Sequence, residues 1–214
     1  MRAWEDVLGG GIVDGLVPAT RQGYAVCADQ TTGERGKPMN WTELLKKEME
    51  TAYSTTEQLM NKVDAGSLSW KPASGTNWMT VGQLLKHLSD ACGAGCKAIV
   101  TGEWGLPEGV TWETMTAEQM FPPAENLPAV ESVKQARDLL AKDKALALDM
   151  VEKAGEDDLA NWEIAMPWAA GTKSVLGYQL LKMVQHLVRH QSQLFYYLKL
   201  QGKAVNTVDL WGQP

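Results

Sequence analysis

The 214-residue chain contains three histidines, His87, His186 and His190, and their type and spacing give it its clearest chemistry. His186 and His190 are four residues apart. On a helix such a pair shares one face with Cβ atoms roughly 5 to 6 Å apart, so both imidazoles can reach one ion at about 2.1 Å. The row Met183, His186, His190, Tyr197 is flanked by Leu187 and Leu194, which places the pair at the edge of a core-facing stripe. His87 shares a side with Leu84 and Leu88, and Asp90, three residues on, is a candidate to orient an imidazole through its free N–H. Three neutral imidazoles leave at least one position on an ion open, the pattern of a reactive centre and not of a closed structural one. If they share an ion, their ligand nitrogens should lie within about 4 Å of one another. Spacing alone leaves a second possibility open, that of boundary histidines that make hydrogen bonds and bind nothing. Peptidase chemistry would need a Glu directly after the first helical histidine, and Leu187 and Val188 stand there instead.

Four amphipathic stretches must position these side chains. Residues 42–63 carry Leu45, Met49, Ala52, Leu59, Met60 and Val63 at three- and four-residue spacing, with Asn40 or Thr42 able to cap the opening. Residues 81–100 repeat the pattern through Val81, Leu84, Leu85, Leu88, Cys92 and Ile99, opened by Thr80 and Gln83 as a capping box. A third helix is expected over 129–154, ended by Gly155, and a fourth from Ser174 to Leu200, stopped by Gly202. No stretch reads clearly as a strand, although 162–168 could be a short extended piece. The fold class is therefore all-α, a four-helix bundle, and the long gaps between helices call for at least one crossover connection.

The remaining composition narrows the function by exclusion. With 20 basic against 26 acidic residues the net charge is −6, and no basic cluster stands out, which disfavours nucleic acid as a partner. No apolar run reaches the roughly 18 residues of a membrane span. Three cysteines are too few and too odd in number for a disulfide framework, so a cytoplasmic location is expected. Residues 1–38 are rich in glycine and aperiodic. They read as a disordered tail or as upstream sequence read in frame ahead of a start at Met39, leaving residues 39–214 as the domain. At about 100° per residue along a continuous second helix, Cys92 and Cys96 would lie about 140° and 180° around from His87, facing away from any metal. They are expected to be small core or interface residues. Trp70, Trp78, Trp162 and Trp168 cluster just before the second and fourth helices. Trp70, Trp78 and Trp168 are candidate walls of a substrate pocket, and loop anchors are the competing reading.

Three segments then carry a family resemblance: Trp70-Lys71-Pro72, the run from Thr80 to Leu88, and the run from Gln185 to Leu194 followed by Tyr196-Tyr197-Leu198 and Gly202. Residues 39–214 resemble the DinB/YfiT-like family of proposed metalloenzymes, departing from many relatives in having Ser192 where they have glycine. The resemblance implies an up-down-down-up bundle with long crossovers, often a homodimer, with His87, His186 and His190 as ligands of one divalent ion; imidazole ligands suit zinc or nickel. It also implies a small-molecule substrate and a low-molecular-weight thiol as co-substrate of a metal-dependent S-transferase. A non-catalytic metal-binding bundle serving stress response or sensing is the alternative, and no catalytic residue beyond the ligands is assigned.

Overall fold

A computed structural model describes residues 40–169 and 171–212. The readings made for residues 1–38, and for a start at Met39, lie outside them. The described chain is mostly helical: α1 (Trp41–Met60), α2 (Val81–Leu88), α3 (Gly93–Thr101), α4 (Ala117–Met120), α5 (Val133–Asn161), α6 (Leu176–Leu200) and α7 (Thr207–Trp211). One antiparallel pair, β1 (Glu163–Ala165) and β2 (Lys173–Val175), joins α5 to α6 with Glu163 opposite Val175 and Ala165 opposite Lys173. β1 falls inside residues 162–168, whose sequence admits a short extended piece.

Four arms enclose the core: α1, the α2–α3 segment, α5 and α6. The first and second arms each pack against both α5 and α6, and α5 also meets α6. Leu45, Met49 and Leu59 of α1 are buried with Leu84, Leu85 and Leu88 of α2, Leu140 and Val151 of α5, and Leu180, Leu187 and Leu194 of α6. These are the apolar positions that helical periodicity selects.

Helix starts are set by local chemistry. Asn40 accepts from the backbone N–H of Glu43 at 2.9 Å. Glu156, from α5, accepts from the N–H groups of Trp41 and Thr42 at 3.0 and 2.9 Å and from the Thr42 hydroxyl at 2.9 Å. A carboxylate there answers both the free donors and the positive end of the helix dipole. Gly155 was expected to end the third helix, but it is a single kink at φ 71°, and helical backbone resumes through Asn161. The continuation puts Glu156 at the N-terminus of α1 and buries Leu159.

The second expected helix is broken. Between α2 and α3 the chain turns at residues 89–92, where the Ser89 hydroxyl donates to the carbonyl of Lys86 at 2.7 Å. Asp143 of α5 supplies the reason for the restart. Its carboxylate accepts from the N–H groups of Gly93 and Ala94, both at 2.9 Å, and so caps α3 from a neighbouring helix. A Cβ at Gly93 would stand 2.1 Å from the carbonyl oxygen of Asp143, so only glycine fits this approach. A long-range cap of this kind leaves no periodic signal in the sequence.

The long connections are held in place through specific side chains. Gln83, in the capping box with Thr80, also donates to the carbonyls of Ala124 and Leu127 at 2.8 and 2.9 Å. Residues 102–132, which carry α4, are thereby pinned to the start of α2. α7 was not anticipated; its Leu210 carbonyl accepts from Gln191 of α6 at 2.9 Å.

Candidate metal centre

The two arms that carry the histidines bring them together. His87 projects from the last turn of α2 and His186 and His190 from the middle of α6, each half-buried. One ring nitrogen from each lies within 4.8 Å of the others. The Nε2 atoms of His87 and His186 are 3.2 Å apart. Nitrogens bound at about 2.1 Å to one ion, at angles between tetrahedral and octahedral, stand about 3.0 to 3.4 Å apart, so this pair already has coordination spacing. The bound of 4.8 Å on all three separations compares with about 4 Å expected of three bound ligands.

Hydrogen bonds to the far side of two rings fix which nitrogen is free. Nδ1 of His186 lies 3.0 Å from the carbonyl oxygen of Ala91. A carbonyl only accepts, so Nδ1 carries the proton and Nε2 presents a lone pair. Ala91 lies in the break between α2 and α3, outside both helices, and that interruption frees its carbonyl for the imidazole. On His190 the same result comes through a chain of three side chains. The Tyr197 hydroxyl donates to the carbonyl of Met79 at 3.0 Å and therefore accepts from Nε2 of Gln193 at 3.2 Å. The Gln193 amide is thus turned with Oε1 toward His190, 3.0 Å from Nδ1, which must donate. Its Nε2 is again left as an acceptor.

Electrostatics points the same way. Burial, then the neighbouring His190 and His186, then Lys86 push the His87 imidazole down to about 4. His186 and His190 are also lowered, in both cases chiefly by burial. All three rings are therefore neutral at pH 7, and the cluster offers nitrogen lone pairs with no carboxylate among them. Such a donor set suits a borderline divalent cation.

The other sequence candidates are distributed as follows. Asp90 forms an ion pair with Lys86, and the groups bonded to imidazole nitrogens are Ala91 and Gln193. Trp70 and Trp78 stack edge-on against Tyr197, with centroids 5.3 and 6.2 Å away. Trp168 packs against Trp104 and Trp112 at 5.4 and 5.3 Å. Trp112, Phe121 and Trp168 line a cavity of about 540 Å³ that reaches His186. Gln193 could have been found by its three-residue spacing from His190, but Trp112 and Phe121 lie in a connection without periodicity. Because the helix breaks after Leu88, the angles computed for Cys92 and Cys96 along one continuous helix do not apply. Both thiols are nevertheless fully buried, 4.0 Å apart. The Cys96 thiol is pushed up, first by its hydrogen bond with Cys92 and then by burial, so it is not a ready thiolate.

A sequence model of the DinB superfamily matches residues 48–194, a span that contains all three histidines and most of the four arms. The chain belongs to the DinB superfamily. Two solved DinB-family structures share its fold. One, a DinB-like protein from Bacillus subtilis, has 18% identity and a TM-score of 0.53 over 76% of this chain and 94% of its own. The other, described as a DinB family member from Exiguobacterium sibiricum 255-15, has 20% identity and a TM-score of 0.51 over 81% of this chain and 99% of its own. No curated protein matches the chain. Among the described residues of this DinB protein, no helix is long and apolar enough to cross a membrane.

Proposed function

We propose that His87, His186 and His190 hold one divalent ion, zinc or nickel, and that the protein is a metal-dependent S-transferase joining a low-molecular-weight thiol to an electrophilic small molecule. The observation that carries the metal assignment is the convergence of three neutral imidazoles, two of them with the proton fixed on the outer nitrogen. When bound, such an ion lowers the pKa of a coordinated thiol, so that the thiolate is available at neutral pH. The chain's own residues then do three things. Ala91 and Gln193 keep the His186 and His190 rings turned inward. Trp112 and Trp168 line the neighbouring cavity and offer an apolar surface to the electrophile. With no carboxylate in the cluster, no fixed base stands there to take the thiol proton, which is released to water. In the transfer, a carbon–sulfur bond forms as the electrophile's leaving group departs with its electron pair and the thiol proton passes to solvent; with an epoxide the C–O bond breaks instead and the resulting alkoxide takes a proton from solvent. The reading includes an up-down-down-up sense for the four arms, a cytoplasmic homodimer, and a small-molecule substrate without nucleic acid or membrane partners.

The test is to assay metal-loaded protein with several low-molecular-weight thiols and a chlorinated aromatic or an epoxide, beside the chelated form. Turnover should depend on metal. Equal rates in the two forms would favour a metal-binding bundle for stress response or sensing.

A further inference from the structure

The cavity beside His186 has a wall chemistry that metal binding does not use. One side is α6, where Lys182, His186 and Arg189 recur at helical spacing on one face. Facing them are Trp112 and Phe121 of the 102–132 connection and Trp168 of the loop between β1 and β2. Phe121 is 76% and Trp168 51% exposed, an unusual display of large rings around a space of about 540 Å³. No Asp or Glu is among the described residues that line it, although the chain as a whole carries a net charge of −6. Among the described residues neither Lys182 nor Arg189 is in an ion pair; the Lys182 ammonium rests 5.6 Å from the centroid of the Tyr178 ring. The indole N–H of Trp112 is buried without a hydrogen-bond partner. The wall therefore combines aromatic faces with cations and an unused donor, and no acidic group balances them.

We propose that this cavity binds a small aromatic anion, with a flat ring system against Trp112, Phe121 and Trp168 and a carboxylate or sulfonate held by Arg189. The guanidinium fork matches a planar acid group, and Lys182 adds positive potential from the same helix face. Arg189 is thus a specificity-determining residue, selecting acids over neutral rings of equal size. The inference does not depend on the metal reading, because His186 enters it only as part of the wall.

Calorimetric titration with 2-naphthoate and with neutral 2-naphthalenemethanol tests it, on chelated and on metal-loaded protein. The acid should bind at least tenfold more tightly than the alcohol in both forms. The double variant Arg189→Gln, Lys182→Gln should remove that preference and leave the alcohol's affinity unchanged, whereas Phe121→Ala should weaken both ligands alike. Equal binding of acid and alcohol, or a preference that survives the double variant, would overturn the proposal. So would a preference that vanishes on chelation, since the anion would then be read by the ion and not by Arg189. Failure of the metal reading would show separately, as protein without bound ion that still prefers the acid.

Discussion

Two polar clusters sit inside this helical protein, and they differ in what is left over after their hydrogen bonds are counted. At Asp143 the carboxylate receives the Tyr53 hydroxyl at 2.6 Å, the N–H groups of Gly93 and Ala94, and that of Cys92 at 3.4 Å. Asp143 and Tyr53 are almost fully buried, and the carboxylate is answered by four donors. At the histidines the bonds to Ala91 and Gln193 use the outer nitrogens of His186 and His190 and turn their inner lone pairs toward His87. A saturated buried cluster specifies structure, as the restart of the chain at α3 shows. A cluster in which His186 and His190 turn lone pairs inward toward His87 can be completed from outside, and a cation would complete it by taking one nitrogen from each ring.

The sharpest break of this comparison is a crossed pair of variants. His190→Ala should lower metal affinity by at least a hundredfold while costing only about 1 kcal/mol of stability, the value of one hydrogen bond. Asp143→Ala should do the reverse in denaturant unfolding, losing at least about 3 kcal/mol because four donors are left without their acceptor. Cys92→Ser should keep the ion. If His190→Ala retained full metal affinity, the lone-pair argument would be wrong.

A smaller effect is expected one step back from the ligands. Gln193→Leu leaves His190 in place but removes the acceptor that fixes its proton on Nδ1, and should weaken metal binding about ten- to a hundredfold. Stability should change little. Competition with a chromogenic chelator measures this, and unchanged affinity would mean that Gln193 only fills space.

Acid should separate the two clusters as well. The His87 imidazole is near 4 in the folded chain, below its ordinary 6.5, so the unfolded chain binds more protons between those values. Its contribution to stability is present above pH 6.5 and is lost as pH falls toward 4. Metal affinity should for the same reason be flat from pH 8 to 6.5 and decline only below, since the rings need no deprotonation to bind. Asp143 has the opposite sign: burial raises its carboxyl against the four donors that lower it, so acidification does not remove stability there. Metal titrations at half-unit pH steps check this, and an affinity rising steeply between pH 6.5 and 8 would contradict it.

Much of the site was legible in the sequence because it rests on local spacing. The i, i+4 relation of His186 and His190, the Thr80–Gln83 capping box and the apolar stripes all concern residues within one or two helical turns, and each is present in the structure. What was missed depends on contacts between distant segments. The break before Gly93 is set by Asp143, fifty residues away, and nothing in a window around Ser89 announces it. The kink at Gly155 continues as helix because Glu156 and Leu159 find partners elsewhere in the fold. The His186 partner, Ala91, is a backbone carbonyl whose availability follows from that same break, so no side-chain pattern could reveal it.

The most direct test of the central claim is X-ray absorption at the metal edge of untagged protein loaded with zinc and free of added thiol. Three imidazole nitrogens at about 2.0 to 2.1 Å, with one ion per chain, are the predicted result. A sulfur neighbour at about 2.3 Å would place the ion at Cys92 and Cys96 instead, and together with an unchanged spectrum in His190→Ala it would contradict the assignment of His87, His186 and His190.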